Sequence, residues 1–234
     1  MGDFIIDRFE SADELAGAAA GQWLDELAAF SGENYHAAVS GGRISGNFFT
    51  AVAASEKRRV FWLRPVHFFW ADERCVPPDD EESNYRLASE KLLQPANIPK
   101  EHVHRIPGEE PPAKAAEFAS AEMRGVVPVN AAGWPVLDMI FLGMGEDGHV
   151  ASLFPRANTS PAPNIYFPVV AGKPPPNRIT LCYEAIAAAK EVWVLVSGSG
   201  KEAALRDSLS PTGRTPLAQV IRLRQQTRLL TNLE

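Results

Sequence analysis

The chain has 234 residues, of which 45% are hydrophobic, and its formal net charge at pH 7 is −6. This composition supports a sizeable folded core and excludes general disorder. Lysine and arginine are spread thinly through an acidic chain, which argues against a nucleic-acid-binding surface. We therefore expect one α/β domain over residues 1–234, in which a local group of basic side chains binds any anionic ligand.

The cysteines and the hydropathy of the sequence indicate where in the cell the protein is located. Cys75 and Cys182 are the only cysteines, and their separation matches neither a metal motif nor a redox motif. The first residues do not resemble a secretory leader, and no run approaches the roughly 18 apolar residues that a membrane span needs. We expect a cytoplasmic protein with reduced thiols and no membrane partner.

The first predicted elements are an edge strand at residues 4–9 and an amphipathic helix. Ser11 and Glu14 form a capping-box pattern at the start of this helix, and apolar residues recur at every fourth position after it. Tyr35–Val39 follows as a short buried strand. His36 lies inside that apolar strand, so we expect it to be packed and not functional.

A loop of small residues, SGGRISG at 40–46, follows this strand and leads into a helix predicted from near Ser45. Strand, loop and helix in this order place backbone N–H groups and a helix N-terminus where they can hold a phosphate. Two glycines would equally suit a tight turn. Ser40, Gly41, Gly42 and Arg43 are the candidate anion-binding residues of this loop.

Three charged residues follow the next apolar strand, predicted at 66–71. Burying charged side chains at that place costs free energy unless they are paired, so we expect exposure or pairing of Asp72, Glu73 and Arg74. One interpretation is a solvated strand end in which a carboxylate pairs with Arg74. The other is a wall of a functional site.

The middle of the chain predicts a helix from Ser83 to Leu93 and an alanine-rich helix within 111–126. Between them, residues 102–106 predict a short strand carrying two histidines. No further ligands occur nearby at metal-binding spacing, so we expect these histidines to be structural and predict no metal site.

The most informative stretch lies at residues 136–155. A buried strand is predicted at 136–142, and three glycines follow it within six residues, together with Asp147 and His149. Gly145 and its neighbours permit tight turns and close approach of a ligand. His149 can move protons near pH 7, and Asp147 can orient it. An open α/β sheet binds its ligand at such strand ends.

The spacing of these glycines also fits the dinucleotide fingerprint G-x-G-x-x-G. That fingerprint needs an acidic residue about 20 positions further on. No Asp or Glu occurs between Asp147 and Glu184. We therefore expect no dinucleotide cofactor.

The last third of the chain predicts a polar loop at 156–163 and four more strands. These strands are at 165–170, Asn177–Leu181, Glu191–Val196 and Gln226–Thr231. Lys201 follows the third of them at the start of a predicted helix, where its charge opposes the helix dipole. An anionic ligand would explain a lysine at that position.

Strands alternate with helices throughout, which predicts a doubly wound, mostly parallel α/β sheet with helices on both faces. Loops at the carboxyl ends of parallel strands converge on one edge of the sheet. We therefore expect a single site built by four loops, at residues 40–43, 72–74, 143–149 and 197–201.

The segment LGMGEDGHVASLFP at 142–155 closely resembles the signature of 6-phosphogluconolactonases, roughly L-G-x-G-x-D-G-H-x-A-S-L-F-P. DERCVP at 72–77 and SNY at 83–85 also follow that family's pattern. Members typically have Ser-Gly-Gly-Ser/Thr-x-Pro in the loop at 40–46, where this chain has Arg43 and no proline. The resemblance runs in patches from about residue 40 to residue 209 and implies a glucosamine-6-phosphate deaminase-like fold.

This resemblance implies hydrolysis of 6-phospho-D-glucono-1,5-lactone in the oxidative pentose phosphate pathway, without a cofactor or metal. It implies that His149 is the general base for water and that Asp147 orients His149 or holds sugar hydroxyls. Asp72 completes the implied catalytic group. The implied partner is a phosphorylated sugar lactone, bound by a monomer or a small homo-oligomer.

The same resemblance implies the substrate-binding residues. Arg178 and Lys201 would bind the phosphate, with the loop at 40–42 and Arg43 assisting. Arg74 or glycine-rich backbone around Gly145 would supply donors to the developing oxyanion.

Two alternatives stay open. Glucosamine-6-phosphate deaminases are related and read D-G-H-x-A-F-N-E-P, with a glutamate of the ring-opening machinery where this chain has Phe154. An aromatic side chain has no proton to give, which favours lactone hydrolysis. The other alternative is a sugar-phosphate-binding regulator, which should carry a helix-turn-helix segment that a single domain of this length leaves no room for.

Overall fold

The computed structural model describes residues 2–55, 61–155 and 164–234. The polar loop predicted at 156–163 lies outside the described residues. The strands are β1 (Asp3–Arg8), β2 (Tyr35–Val39), β3 (Val66–Trp70), β4 (Asp72–Arg74), β5 (Met139–Gly143), β6 (Tyr166–Val170), β7 (Asn177–Leu181), β8 (Glu191–Val196) and β9 (Gln226–Thr231). The helices are α1 (Ala12–Ala29), α2 (Arg43–Ala54), α3 (Asn84–Ala88), α4 (Pro112–Val126), α5 (Tyr183–Ala188), α6 (Glu202–Leu209) and α7 (Pro216–Leu223).

Six strands form a parallel sheet in the order β1-β9-β8-β5-β2-β3, with β1 at one edge as expected. Strand β2 is buried at every position. Such apolar strands need cover on both faces, which crossover helices supply. The predicted doubly wound, mostly parallel fold is confirmed.

Alternation along β3 places neighbouring side chains on opposite faces of the sheet. Phe68 packs edge-on against Trp23 of α1, with ring centroids 6.3 Å apart. Phe69 instead stacks on His104, with centroids 4.5 Å apart. Ser11 caps α1 by accepting the backbone N–H of Glu14, as the capping box predicts. The apolar residues at every fourth position of α1 are all buried: Leu15, Ala19, Trp23 and Leu27.

A second sheet of three antiparallel strands, in the order β4-β7-β6, was not predicted. Residues 72–74 were expected to be a loop, but they pair with residues 178–180 of β7. Ala71 joins the two sheets, because its N–H donates to Val39 and its carbonyl accepts from Leu181. Three charged residues carry no local strand signal, so only this long-range pairing makes β4 a strand.

Most predicted elements are confirmed, and several differ in their bounds or type; the helix predicted from Ser83 to Leu93 is α3 continued by a π-helical turn at Ser89–Leu93. Strands β2, β7, β8 and β9 have the predicted bounds, whereas β5 begins at Met139 and not at 136. The strand predicted at 102–106 was wrong, because Lys100–His102 is a 3₁₀ turn and Val103 alone bridges to Phe68 of β3. In the part of the chain that the structure describes, no helix is long and apolar enough to cross a bilayer.

Candidate active site

A cleft of about 990 Å³ opens where β2, β5 and β8 end, and the second sheet forms one of its walls. All residues predicted for the site line this cleft: Ser40, Gly41, Gly42, Arg43, Asp72, Arg74, Gly145, Asp147, His149, Arg178 and Lys201. The four loops expected to converge therefore do so, although residues 72–74 reach the cleft as a strand.

His149 and Asp147 form a hydrogen-bonded pair on the loop after β5. Nδ1 of His149 lies 2.5 Å from Oδ1 of Asp147, which also accepts the backbone N–H of His149 at 3.1 Å. Partial burial raises the pKa of Asp147, but these hydrogen bonds from His149 outweigh it and lower the pKa overall. The Asp147 carboxylate orients the imidazole through Nδ1, and Nε2 has no hydrogen-bond partner among the described residues.

Two glycines are required by the shape of this loop. A Cβ on Gly145 would overlap the imidazole of His149. The N–H of Gly145 donates to the carbonyl of His149 at 2.9 Å, which closes the loop under the ring. Gly148 has φ +77°, and a Cβ there would also overlap Thr215, the N-cap of α7. The imidazole is therefore held by the backbone on one side and by Asp147 at Nδ1.

Phe154 lies between the histidine and one of the arginines. Its ring centroid is 4.8 Å from that of His149 and 5.7 Å from Cζ of Arg178. The ring lines the cleft. An apolar group therefore occupies the cleft beside the imidazole, where the deaminase pattern has a glutamate.

Asp72 is a buried carboxylate in the wall of the cleft, 4% exposed. Its Oδ2 accepts the hydroxyl of Ser152 at 2.6 Å. The side-chain amide of Asn84 donates to the backbone carbonyl of Asp72 at 2.9 Å and lies 3.4 Å from Oδ1. Asp72 forms no ion pair with the described residues.

The interpretation of residues 72–74 as a solvated strand end was wrong. Glu73 is buried and accepts hydrogen bonds from the backbone N–H groups of Arg74, Asn84 and Tyr85 and from the hydroxyl of Ser83. Arg74 pairs instead with Glu82, with Nη1 3.3 Å from Oε2. Glu73 thus joins β4 to the N-terminus of α3, while Asp72 and Arg74 line the cleft.

Arg178 presents unpaired guanidinium nitrogens to the cleft. Its Nε donates to the carbonyl of Pro175 at 3.1 Å, and its terminal nitrogens bond none of the described residues. Arg178 faces Arg74 across the β4–β7 pairing. Burial lowers the pKa of Arg178, and the charge of Arg74 lowers it further. Two neighbouring cations with donors to spare favour an anionic ligand.

Lys201 belongs to a second basic group, at the start of α6. Burial lowers the pKa of Lys201, with Glu146 acting in the opposite direction and with Arg43 and Lys173 adding to the lowering. Lys201 has no ion pair with the described residues. Arg43 and Lys173 also line the cleft.

The loop after β2 brings an uncapped helix N-terminus to the cleft. Helix α2 begins at Arg43, two residues earlier than predicted, and its N-cap Gly42 has φ +96° and supplies no side-chain cap. The hydroxyl of Ser40 is buried without a partner among the described residues. A Cβ on Gly41 would overlap the amide of Asn84. Free N–H groups at a helix start suit a phosphate or carboxylate.

Sequence reasoning missed four residues of this site. Glu146 and Lys173 line the cleft, but one occupies a variable position of the motif and the other lies in a proline-rich loop that looked like surface. Asn84 and Ser152 contact Asp72 across the fold. Both lie in segments that carry the family resemblance, at 83–85 and 142–155, but sequence spacing alone does not reveal their contacts with Asp72.

The fold and the cleft define an α/β protein with a histidine–aspartate pair and a basic anion site. The family model described as glucosamine-6-phosphate isomerases/6-phosphogluconolactonase matches residues 10–230, and the chain belongs to this family. The resemblance seen at residues 142–155 is thereby confirmed.

Individual relatives agree with this assignment. The chain is 33% identical over 229 residues to a 6-phosphogluconolactonase of Mycobacterium leprae, a match that covers 93% of this chain and 92% of the relative. It is 35% identical over 188 residues to 6-phosphogluconolactonase 3, chloroplastic, of Arabidopsis thaliana, and spans 58% of that protein's length.

Solved structures extend the comparison to the fold. The 6-phosphogluconolactonase of Trypanosoma brucei superposes with a TM-score of 0.86 at 26% identity, over 99% of this chain and 97% of the other. A monomeric glucosamine-6-phosphate deaminase superposes with a TM-score of 0.80 at 15% identity over 98% and 96% of the two chains, which shows a shared fold alone.

Proposed function

We propose that the protein hydrolyses 6-phospho-D-glucono-1,5-lactone to 6-phospho-D-gluconate, a step of the oxidative pentose phosphate pathway. One observation carries this proposal: within the described residues, Nε2 of His149 has no hydrogen-bond partner, and Arg178 and Lys201 in the same cleft have no ion-pair partner. A free base and an anion site in one cleft suit a phosphorylated substrate that reacts with water. The relatives named 6-phosphogluconolactonase support the same reaction.

His149 is the general base of this mechanism. A water oxygen bonds to the lactone carbonyl carbon while Nε2 takes one of its protons. Asp147 keeps Nδ1 protonated and stabilises the imidazolium that forms, as in other histidine–carboxylate pairs. The bond from the carbonyl carbon to the ring oxygen then breaks, the proton passes from Nε2 to that oxygen, and the product is the open-chain acid.

Asp72 and Arg74 line the same cleft as His149 and supply the remaining groups of the mechanism. Oδ1 of Asp72 has no close donor within the described residues, so it is available to a sugar hydroxyl or to the attacking water. Arg74, or backbone N–H groups near Gly145, stabilise the oxyanion of the tetrahedral intermediate.

The phosphate is bound by two sets of groups. Arg178 supplies charge-assisted hydrogen bonds from the second sheet, and Lys201 supplies them from the start of α6. The N-terminus of α2, with Gly42 and Arg43, adds backbone N–H groups and a further cation. Ser40 offers its unpaired hydroxyl to the same ligand.

Glucosamine-6-phosphate deamination is not favoured by this cleft. The deaminase pattern places a glutamate of the ring-opening machinery at this position, and the ring of Phe154 beside His149 has no proton to exchange in its place. Binding without catalysis leaves the free base at Nε2 unexplained. A cytoplasmic location, and a monomer or small homo-oligomer, stay predictions.

A coupled assay tests the proposal. Glucose-6-phosphate dehydrogenase generates the lactone in place, and 6-phosphogluconate formation is measured with the spontaneous hydrolysis subtracted. We expect clear acceleration by the protein and no ammonia from glucosamine 6-phosphate. Ammonia release at a rate that rivals lactone hydrolysis would contradict the assignment.

A further inference from the structure

Ser152 makes a short contact to the site that no motif explains. Its side chain is fully buried, and its hydroxyl donates to Oδ2 of Asp72 at 2.6 Å. Ser152 follows His149 by three residues on the same loop, whereas Asp72 lies on β4 of the second sheet. The contact therefore joins the element that carries the base to the element that carries the buried carboxylate.

The hydroxyl of Ser152 is the only short donor to the Asp72 carboxylate within the described residues. The amide of Asn84 lies 3.4 Å from Oδ1, and no cation of residues 2–55, 61–155 or 164–234 forms an ion pair with Asp72. Tyr166 on β6 is near, but its hydroxyl donates to the carbonyl of Trp70. The other charged neighbours are Glu73 on the same strand and Arg178 on β7.

Ser152 is itself fixed by the second sheet. Its backbone N–H donates to the hydroxyl of Thr180 at 3.2 Å, and Thr180 is the residue that pairs with Asp72 in the β4–β7 ladder. The serine is thus attached to both strands that carry Asp72 and Arg178. A buried donor held in this way is not free to turn to another acceptor.

We propose that Ser152 is a positioning residue that fixes the carboxylate of Asp72 for the reaction by donating to its Oδ2. A buried carboxylate stays charged and oriented only where hydrogen bonds replace the lost water. With Oδ2 occupied by Ser152, Oδ1 is the oxygen left for the substrate or the attacking water. This inference rests on the proposed lactone hydrolysis.

A double-mutant cycle tests the role, with kcat and KM for the phosphorylated lactone measured for the parent, Ser152→Ala, Asp72→Asn and the double variant. We expect Ser152→Ala to lower kcat about tenfold to a hundredfold, as for loss of a hydrogen bond to a charged group, with KM little changed. The double variant should be no slower than Asp72→Asn alone, because Ser152 acts through that carboxylate.

A structural control separates positioning from folding, because a positioning role lowers kcat while leaving KM little changed. Ser120→Ala is the matched control, because Ser120 is also buried, but its hydroxyl donates to the carbonyl of Ala116 in α4 and accepts the N–H of Tyr166, outside the cleft. It should leave both kcat and KM unchanged. If Ser152→Ala does not fold, Ser152→Cys, a weaker donor of similar size, replaces it in the cycle.

The positioning role would be overturned if the losses in kcat multiplied in the double variant, or if Ser152→Ala kept the kcat of the parent. Either result would leave lactone hydrolysis intact. A parent protein that does not accelerate lactone hydrolysis would overturn the proposed function and this inference with it. The parent assay therefore distinguishes the two failures before any variant is compared.

Discussion

At the scale of single residues, the two nitrogens of His149 have different surroundings. Nδ1 is bonded to Asp147, and Nε2 has no partner within the described part of the chain. We expect His149→Ala to lower kcat for lactone hydrolysis by at least one to two orders of magnitude, because it removes the general base. His102→Gln, which changes a histidine outside the cleft, should leave kcat unchanged. Parent-like turnover in His149→Ala would remove this residue from the mechanism.

The cations of the cleft give a second residue-scale prediction. A hydrogen bond to a charged group contributes about 1.5–3 kcal/mol, so Arg178→Ala or Lys201→Ala should raise KM for the phosphorylated lactone roughly 10- to 100-fold. Arg86→Ala removes an exposed arginine that is paired with Glu90 and should leave KM unchanged.

Unphosphorylated gluconolactone is the substrate control for the same variants. It lacks the group that these cations bind, so the parent and both variants should process it equally poorly. Normal KM for the phosphorylated lactone in both variants would place the phosphate elsewhere.

At the scale of elements, Glu73 joins β4 to α3 through four hydrogen bonds to its carboxylate. Glu73→Gln replaces one accepting oxygen by an amide donor that faces N–H or O–H donors. We expect the free energy of unfolding to fall by about 1–3 kcal/mol, measured by urea denaturation. Glu90→Gln removes an exposed ion pair and should cost less than about 1 kcal/mol. Equal losses in the two variants would contradict this role of Glu73.

The elements also show what the sequence can and cannot predict. Strands such as Tyr35–Val39 and Glu191–Val196 are apolar runs with clear boundaries, so their bounds were predicted correctly. Strand β4 consists of Asp72, Glu73 and Arg74, and its strand conformation depends on a partner about 100 residues away in the chain. Helix α7 has a readable start, Thr215 before Pro216, but it was not predicted.

The same limit applies to the site. Asp147 and His149 are two residues apart, so their pairing is visible in the sequence. Ser152 and Asp72 are 80 residues apart, and their contact depends on how the second sheet packs against the loop after β5. The sequence therefore predicts pairs that are close along the chain. Hydrogen bonds between distant residues, which fix the side chains of the site, are visible only in the folded structure.

At the scale of the whole molecule, charge is distributed unevenly. The net charge is −6, yet the cleft contains Arg43, Arg74, Arg178 and Lys201. An overall negative charge does not attract an anionic substrate, so recognition depends on hydrogen-bond donors inside the cleft that act at short range.

Near the amino ends of β2 and β3, four of the five histidines of the chain form a cluster. Nδ1 of His67 lies 2.9 Å from Nε2 of His104, whose other nitrogen bonds Glu122. The ring of His102 stacks on His67 with centroids 4.1 Å apart. Burial, together with the neighbouring His102, His104 and His36, lowers the pKa of His67 to about 4.

This cluster predicts a pH dependence of folding stability. The pKa of His67 is about 4 in the folded protein and about 6.5 in the unfolded chain, so the unfolded state binds more protons between these values. The protonation of His67 therefore does not lower the free energy of unfolding above about pH 6.5. It lowers this free energy progressively as the pH falls from 6.5 toward 4. His67→Gln should remove this decrease, which urea denaturation between pH 7 and pH 4.5 measures. Parallel curves for His67→Gln and the parent would contradict the assigned role of His67.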